Sequence, residues 1–257
     1  MFPVKEVPAV PMKGYGSSSN IGKTGHKFIV RQDTGKILSC MTDDYKMVTN
    51  EKIIKFAEPI IKEKGGKLKE SEIFNYGARS IMKWHFPNEK IKVSNDDILH
   101  PEIIIKNSYD GTIGVNIIAG AFRLVCSNGM VVGVVTDAYK NKHSIHNVSL
   151  DDIEGIIEKT ITNTVFLFGA DMPLLIANKI NERNIIDFLK MFPLNANKIV
   201  TQRLIADRPK TFWDLYNVGT NVTSHHMNRK SESTHKIEGI LYKEVKKMAL
   251  KANRASA

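Results

Sequence analysis

The segment 103–135 constrains the fold most, because it holds several apolar runs separated by short turn sequences. Asp110-Gly111 is a strong hairpin-turn pair, and Ser127-Asn128-Gly129 separates two of the later runs. Small residues, Ala119-Gly120-Ala121, are expected to separate two others. The strands expected here are 113–118, 122–126 and 130–135. Consecutive strands joined by short turns predict an antiparallel sheet instead of alternating βαβ units.

The residues before 103 predict further β-strands and one helix. Two apolar runs, 28–31 and 37–41, flank Asp33-Thr34-Gly35-Lys36, which predicts a hairpin. Asn50 is expected to cap a helix that ends at Lys64. Its apolar stripe is Ile53, Ile54, Phe56, Ala57, Ile60 and Ile61. Further extended runs are 67–76, 78–86 and 102–107.

After Ser149 the apolar residues recur at helical spacing. A first helix is expected to begin at Ser149 and to continue to Phe168. Further helices are expected at 173–180, 185–191, 196–207, 211–227 and 237–253. The predicted fold class is therefore α+β, with an antiparallel β-sheet in the N-terminal half, helices packed on it, and a mostly helical C-terminal half. We expect a flexible N-terminal arm at 1–25, since it combines three prolines with small polar residues. A β-rich region at 26–148 and a helical region at 149–257 follow, as two domains or as two layers of one.

The charge balance points to an anionic partner. The 257 residues carry 37 Lys and Arg against 27 Asp and Glu, a formal net charge of +10. This excess favours a polyanion, above all nucleic acid, although a basic surface also serves solubility. No apolar run is long enough to cross a bilayer, and the first residues do not resemble a signal peptide, so a cytoplasmic location is expected. Cys40 and Cys126 are expected as buried thiols, with a disulfide as the alternative.

Signals for catalysis or for a cofactor are weak. No nucleophile elbow, nucleotide-binding glycine motif or paired-carboxylate signature is present. His225, His226 and His235 lie close in sequence, but no cysteine or carboxylate completes a zinc spacing. We expect a protein that is not an enzyme and holds no metal or cofactor. A metal-dependent nuclease assembled from separate carboxylates stays open.

Basic residues near aromatic or loop residues are the candidate nucleic-acid contacts. Cations and aromatic rings alternate around Trp84 and Phe86, as single-strand binding requires. The candidate contacts are Lys83, Lys90, Lys92, Lys140, Lys142, His143 and Arg203. The segment 225–257 holds eight Lys or Arg and three Glu, a balance of +5. For a single lysine there, a solvated helix face is the simpler interpretation.

The central motif resembles a known family. Asn107-Ser108-Tyr109-Asp110-Gly111-Thr112, followed by 122–129 (Phe-Arg-Leu-Val-Cys-Ser-Asn-Gly), resembles the hallmark of a phage- and plasmid-encoded family of unknown function. Its early residues are similar to Thr34-Gly35, Tyr45 and Asn50. Its late segment is similar to 215–220 followed by His225.

That resemblance implies a mobile-element protein, and the layout is similar to Rad-fifty-two-type single-strand annealing proteins. It implies an oligomer that binds single-stranded DNA and anneals it in recombination or replication, in the host cytoplasm if phage-encoded. Arg123 would contact a phosphate and Asn128 a sugar or base, unless both form a structural corner. Tyr109 would stack on a base or cover the sheet. The alternative function is a protein-interaction module that inhibits a host nucleic-acid enzyme or defence complex.

Overall fold

The computed structural model describes residues 1–10, 24–92, 98–123, 129–130, 155, 162, 169–227 and 231–256. These residues form two compact units that alternate along the chain. Unit 1 takes most of its described residues from Met1–Trp84 and Ile104–Ile117. Unit 2 takes most of them from His85–Ile103 and Lys159–Ala257. The proposed boundary at 148 lies outside the described residues.

Unit 1 begins with a three-stranded antiparallel sheet. Its strands are β1 (Val4–Pro8), β2 (His26–Arg31) and β3 (Ile37–Thr42), in that order across the sheet. The predicted hairpin between β2 and β3 is confirmed. The prediction of a flexible arm is wrong for β1, which pairs with β2 from Val4 opposite Arg31 to Pro8 opposite Lys27. Backbone hydrogen bonds to the edge of β2 order this segment, while residues 11–23 of the predicted arm lie outside the described residues.

Helix α1 (Asn50–Glu63) lies where periodicity predicts it. Ile53, Ala57 and Ile61 are buried along one face. The predicted cap is wrong by one residue, because the side chain of Thr49 accepts the hydrogen bond from the backbone of Lys52. Asn50 is instead buried as the first helical residue.

A second sheet contains six strands. They are β4 (Lys67–Phe74), β5 (Arg79–His85), β6 (Ile91–Lys92), β7 (Ile98–Ser108), β8 (Asn116–Arg123) and β9 (Gly129–Met130). The order is β4-β5-β7-β8-β9, and β6 also pairs with β7. The break expected at 119–121 is wrong, since β8 runs through it. Three small residues without a turn pair such as Asp-Gly do not reverse the chain.

Helices form the remainder of unit 2. Residues 169–177 are helical, followed by α2 (Glu182–Leu189), α3 (Leu194–Asp207), α4 (Phe212–Asn221), a π-helical turn (Val222–His226) and α5 (Ser231–Ser256). The five helices predicted between 173 and 253 are confirmed, with shifted ends, and the helix predicted to begin at Ser149 lies almost entirely outside the described residues. Leu99 of β7 joins their apolar core with Phe188, Phe212 and Tyr216. The antiparallel sheets and later helices confirm the α+β class.

The two cysteines are not both buried as expected. Cys40 lies exposed on β3 with a free thiol. It is at the edge of the three-stranded sheet, where alternate side chains face solvent. Cys126 lies outside the described residues.

Candidate functional site

Residues of the early and central motifs meet in unit 1, although about sixty positions separate them. The amide Nδ2 of Asn107 donates to Oδ1 of Asn50 at 2.8 Å. The backbone N–H of Asn50 donates to the hydroxyl of Tyr109 at 2.9 Å. Ser80 Oγ donates to the same Oδ1 of Asn50 at 2.9 Å. We call these four residues, which are all at most 2% exposed, the asparagine cluster.

The asparagine cluster joins the start of α1 to the end of β7. Asn107 Nδ2 also donates to the carbonyl oxygen of Val48, just before the helix, at 2.9 Å. Tyr45 adds a hydrogen bond from its hydroxyl to the carbonyl oxygen of Ser108 at 3.2 Å. These buried hydrogen bonds fix one arrangement of the elements that carry them, although Asn50 Nδ2 and Asn107 Oδ1 are buried with no hydrogen-bond partner among the described residues.

Tyr109 belongs to this network and not to a stacking surface. Only 1% of the residue is exposed, so no ring face is open to a base. Burial raises the pKa of Tyr109 above its ordinary value, against a smaller lowering by the backbone N–H of Asn50. Of the two interpretations of Tyr109, the one in which it covers the sheet fits the structure.

Asp110 fixes the turn that follows Tyr109. Its carboxylate accepts from Arg79 Nε at 2.9 Å and from the backbone N–H of Thr112 at 3.0 Å. Burial acts to raise the pKa of Asp110, but the hydrogen bonds from Thr112 and Arg79 outweigh it, and the net shift is downward. A carboxyl group whose pKa is lowered by folding stabilises the folded state above its unfolded pKa, about 3.9.

Asp110→Asn is therefore expected to cost about 1 kcal/mol at pH 7. The contribution of the wild-type carboxylate disappears as pH falls below about 4, through the lowered folded pKa. Thermal melts at pH 7 and pH 3 are expected to show a difference between variant and wild type that shrinks at pH 3. Asp44→Asn, at an exposed turn position, serves as the control. A difference that is the same at both pH values would contradict this assignment.

The expected alternation of cations and aromatic rings on β5 does not form a binding surface. Trp84 and Phe86 are each 1% exposed, because alternate residues of a strand face opposite sides. Lys83 points to the other side and forms ion pairs with Glu70 at 2.8 Å and Glu72 at 3.4 Å. The rings are core residues and the charge of Lys83 is balanced.

The remaining predicted contacts that the structure describes all belong to unit 2. Lys90 and Lys92 are exposed in unit 2, and Arg203 on α3 forms an ion pair with Asp207 at 3.0 Å. Arg123 ends β8, and its backbone alone is described. The other candidates, Asn128, Lys140, Lys142 and His143, lie outside the described residues. Lys92 also borders an open groove of about 360 Å³ with Gly169, Met172, Pro173, Ile176 and Ala177.

A basic surface lies on α5, in the segment 225–257 that carries an excess of Lys and Arg. Lys243, Lys247, Lys251 and Arg254 are all exposed. Their spacing of four, four and three residues places them on one face of the helix. Glu244 neutralises part of their positive charge, because its carboxylate lies 3.6 Å from Lys247 Nζ.

Helix α2 adds further cations near Lys251. Lys190 Nζ donates to Asp187 at 2.9 Å, and Arg183 is exposed on the same helix. The hydrogen bond from Lys190 is the largest cause that lowers the pKa of Asp187, with smaller contributions from the charges of Arg183 and Lys251. One carboxylate thus lies within the electrostatic reach of three cations. We call Arg183, Lys190, Lys243, Lys247, Lys251 and Arg254 the basic face.

The late motif forms part of the core of unit 2. Tyr216 is fully buried and packs edge-on against Tyr242, with ring centroids 5.5 Å apart. Glu238, also buried, accepts from Ser224 Oγ at 2.7 Å. His225 is exposed on the π-helical turn. The motif residues therefore hold α4 and α5 together.

Neither a metal centre nor a membrane segment is evident in the part of the chain that the structure describes. Within it, no three His, Cys, Asp or Glu side chains are placed to hold a metal ion. No helix in the described ranges is both long enough and apolar enough to span a membrane.

Comparisons with known proteins identify a family. Neither the curated proteins nor the solved structures yield a match to this chain. One family, described as a domain of unknown function (DUF932), matches residues 37–246. The match covers the asparagine cluster and three of the six residues of the basic face (Arg183, Lys190 and Lys243), and the chain belongs to the DUF932 family.

Proposed function

We propose that the protein binds nucleic acid through its phosphates and that the basic face makes the contact. The observation that carries the proposal is the alignment of Lys243, Lys247, Lys251 and Arg254 along one exposed face of a single helix. A regular row of cations matches the regular spacing of phosphates and needs no base contact. Among the described residues, Asp187 and Glu244 are the carboxylates that pair with members of this face.

Single-stranded DNA is the partner we propose. The finer parts of the proposal are annealing of complementary strands, oligomer formation, and a role in phage replication or recombination. These parts rest on the resemblance of the central motif to a phage- and plasmid-encoded family and on the similarity of the layout to that of single-strand annealing proteins. Light scattering after size-exclusion chromatography measures the oligomer. A quenched-fluorophore assay with two complementary oligonucleotides measures annealing.

Binding is expected to depend steeply on salt. Neutralising four to six phosphates on a single strand gives a slope of log K against log salt of about −3 to −4. Affinity for a fluorescein-labelled 20-mer, measured by anisotropy, should then fall about 60- to 250-fold between 50 and 200 mM NaCl. The proposal would be refuted if no binding were detected at 20 mM NaCl, or if the affinity did not change with the NaCl concentration.

Two matched variants distinguish the contribution of the basic face to binding from that of the overall net charge. Replacing Lys243, Lys247 and Lys251 with Ala should weaken binding at least tenfold at 100 mM NaCl. The same variant should reduce the salt slope by about 2. Replacing Lys52, Lys55 and Lys62, which are exposed on α1 in unit 1, removes the same charge. Equal losses in both triple variants would show that net charge, and not this face, drives binding.

A protein partner is the second candidate, because apolar residues interrupt the basic face. Ile240 is 53% exposed and Leu250 is 41% exposed on the same helix. Partners recovered from a lysate by the wild type and lost in the α5 triple variant after nuclease treatment would favour this candidate. Degradation of the 20-mer with Mg²⁺ or Mn²⁺, followed on a gel, would instead indicate a nuclease.

A further inference from the structure

The turn between β4 and β5 has an unusual backbone. Its consecutive residues Asn75 and Tyr76 have φ values of 50° and 60°. Hairpin turns with two positive φ angles favour Asn followed by Gly, because a side chain in this conformation is strained. Asn tolerates the left-handed region, but Tyr does so rarely. The second position therefore holds a residue that the backbone disfavours.

Burial does not offset this strain. The Tyr76 residue is 70% exposed and is the one aromatic residue among the exposed large apolar residues of the described ranges. A strained backbone that presents an exposed ring gains little for the fold. Strain of this kind is typical of sites where the side chain serves binding.

Several contacts in unit 1 hold the turn in place. Arg31 Nη1 donates to the carbonyl oxygen of Tyr76 at 2.9 Å. Asp33 fixes the guanidinium with two hydrogen bonds, at 2.7 and 2.9 Å. The same guanidinium lies 3.8 Å from the centroid of the Phe2 ring. Gly77 leaves room for this ring, since a Cβ at Gly77 would lie 2.3 Å from Phe2 Cζ.

The surroundings of the ring are basic and apolar. Lys36 Nζ lies 2.9 Å from the centroid of the Tyr76 ring. Ile73, in the strand before the turn, is 49% exposed, and Ile37, at the start of β3, is 57% exposed. Strand β3 contacts the turn. An exposed ring with an ammonium group over it offers an aromatic surface for an unpaired base and a cation for the neighbouring phosphate.

We propose that Tyr76 stacks on an unpaired nucleobase and that Lys36 binds the neighbouring phosphate. The inference rests on the proposed binding of single-stranded DNA and adds a contact to a base, which a single strand offers because its bases are not paired as in a duplex. Tyr76 is in unit 1 and is independent of the basic face in unit 2.

Two variants of Tyr76 test the inference by affinity. Tyr76→Gly removes the ring and suits the backbone, so it should weaken binding of a fluorescein-labelled dT 20-mer about five- to 150-fold. Tyr76→Phe keeps the ring and should stay within about twofold of wild type. The melting temperature of Tyr76→Gly should equal or exceed that of wild type. A clear fall in melting temperature would overturn the inference, because the ring would then serve the fold.

Photo-crosslinking locates the contact directly. A dT 20-mer containing 5-iododeoxyuridine should crosslink to the tryptic peptide 70–79, which contains Tyr76 as its one tyrosine. This inference is overturned if the wild type binds the 20-mer and Tyr76→Gly binds it with the same affinity. It is also overturned if the crosslinks are confined to other peptides. Either result leaves the proposed function standing. Absence of binding by the wild-type protein overturns both.

Discussion

Replacing Asn107 with Asp is expected to lower the free energy of unfolding by about 4 kcal/mol at pH 7. The amide nitrogen of Asn107 donates to the carbonyl oxygen of Val48 and to Oδ1 of Asn50. In the variant, a carboxylate oxygen would replace this amide nitrogen and would face the same two acceptor oxygens. Residue 107 is 0% exposed, so water could not supply a donor. The charge would be buried without a donor, which is among the most costly changes a core accepts.

The loss of unfolding free energy in Asn107→Asp is expected to become smaller at lower pH. Burial away from donors raises the folded-state pKa of the introduced carboxyl group above its unfolded value of about 3.9. The folded state then holds the proton more tightly, so stability falls as pH rises through the range between the two pKa values. Protonation also restores one donor toward Val48 or Asn50.

Urea denaturation of wild type and variants at pH 7 and pH 5, followed by circular dichroism, measures both effects. Asn107→Ala is the control, because it removes the two hydrogen bonds without adding charge. We expect it to cost about 2 to 3 kcal/mol with little change between the two pH values. An Asn107→Asp protein within about 1 kcal/mol of wild type at pH 7 would show that the asparagine cluster is not structurally required.

Replacing Asp171 with Ala is expected to lower the free energy of unfolding by about 3 kcal/mol. Oδ2 of Asp171 accepts from the Tyr242 hydroxyl at 2.6 Å and lies 2.8 Å from Lys246 Nζ. These contacts join helical residues 169–177 to α5. Removal of the carboxylate leaves a buried hydroxyl without its acceptor. For a chain of this size, the melting temperature should fall by about 6 to 12 °C.

Tyr242→Phe is the matched control for Asp171→Ala. It removes one hydrogen bond and leaves the ion pair between Asp171 and Lys246, so it should cost about 1 kcal/mol. Asp171→Asn should fall between the two, because the amide oxygen still accepts from Tyr242. If Asp171→Ala cost no more than Tyr242→Phe, the ion pair with Lys246 would contribute nothing to stability.

Local signals in the sequence predicted local structure well. The turn residues 33–36 and the apolar spacing of α1 depend on neighbours within a few positions, and both elements formed as expected. Strand β1 was missed because its order comes from pairing with residues of β2 that are 19 to 27 positions away in the sequence. The cap of α1 shifted to Thr49 because Asn50 is held by residues of β5 and β7.

The candidate sites show the same limit. The spacing of Lys243, Lys247 and Lys251 can be read from the sequence, but the approach of Arg183 to that surface cannot. For Tyr109 the sequence left both stacking on a base and covering the sheet open, because its burial depends on tertiary contacts with Asn50 and Tyr45. Nothing in the sequence pointed to Tyr76 as a binding residue, because its exposure and its positive φ angle are properties of the folded chain.

The alternation of the two units along the chain has a consequence for synthesis. Asn50 leaves the ribosome 57 residues before its partner Asn107. At about 5 to 20 residues per second, this amounts to a delay of about 3 to 11 s. During the delay the start of α1 lacks the amide that fixes it, and residues 85–103, which belong to unit 2, emerge in between. The nascent protein thus cannot complete its first unit before part of the second is already outside the ribosome.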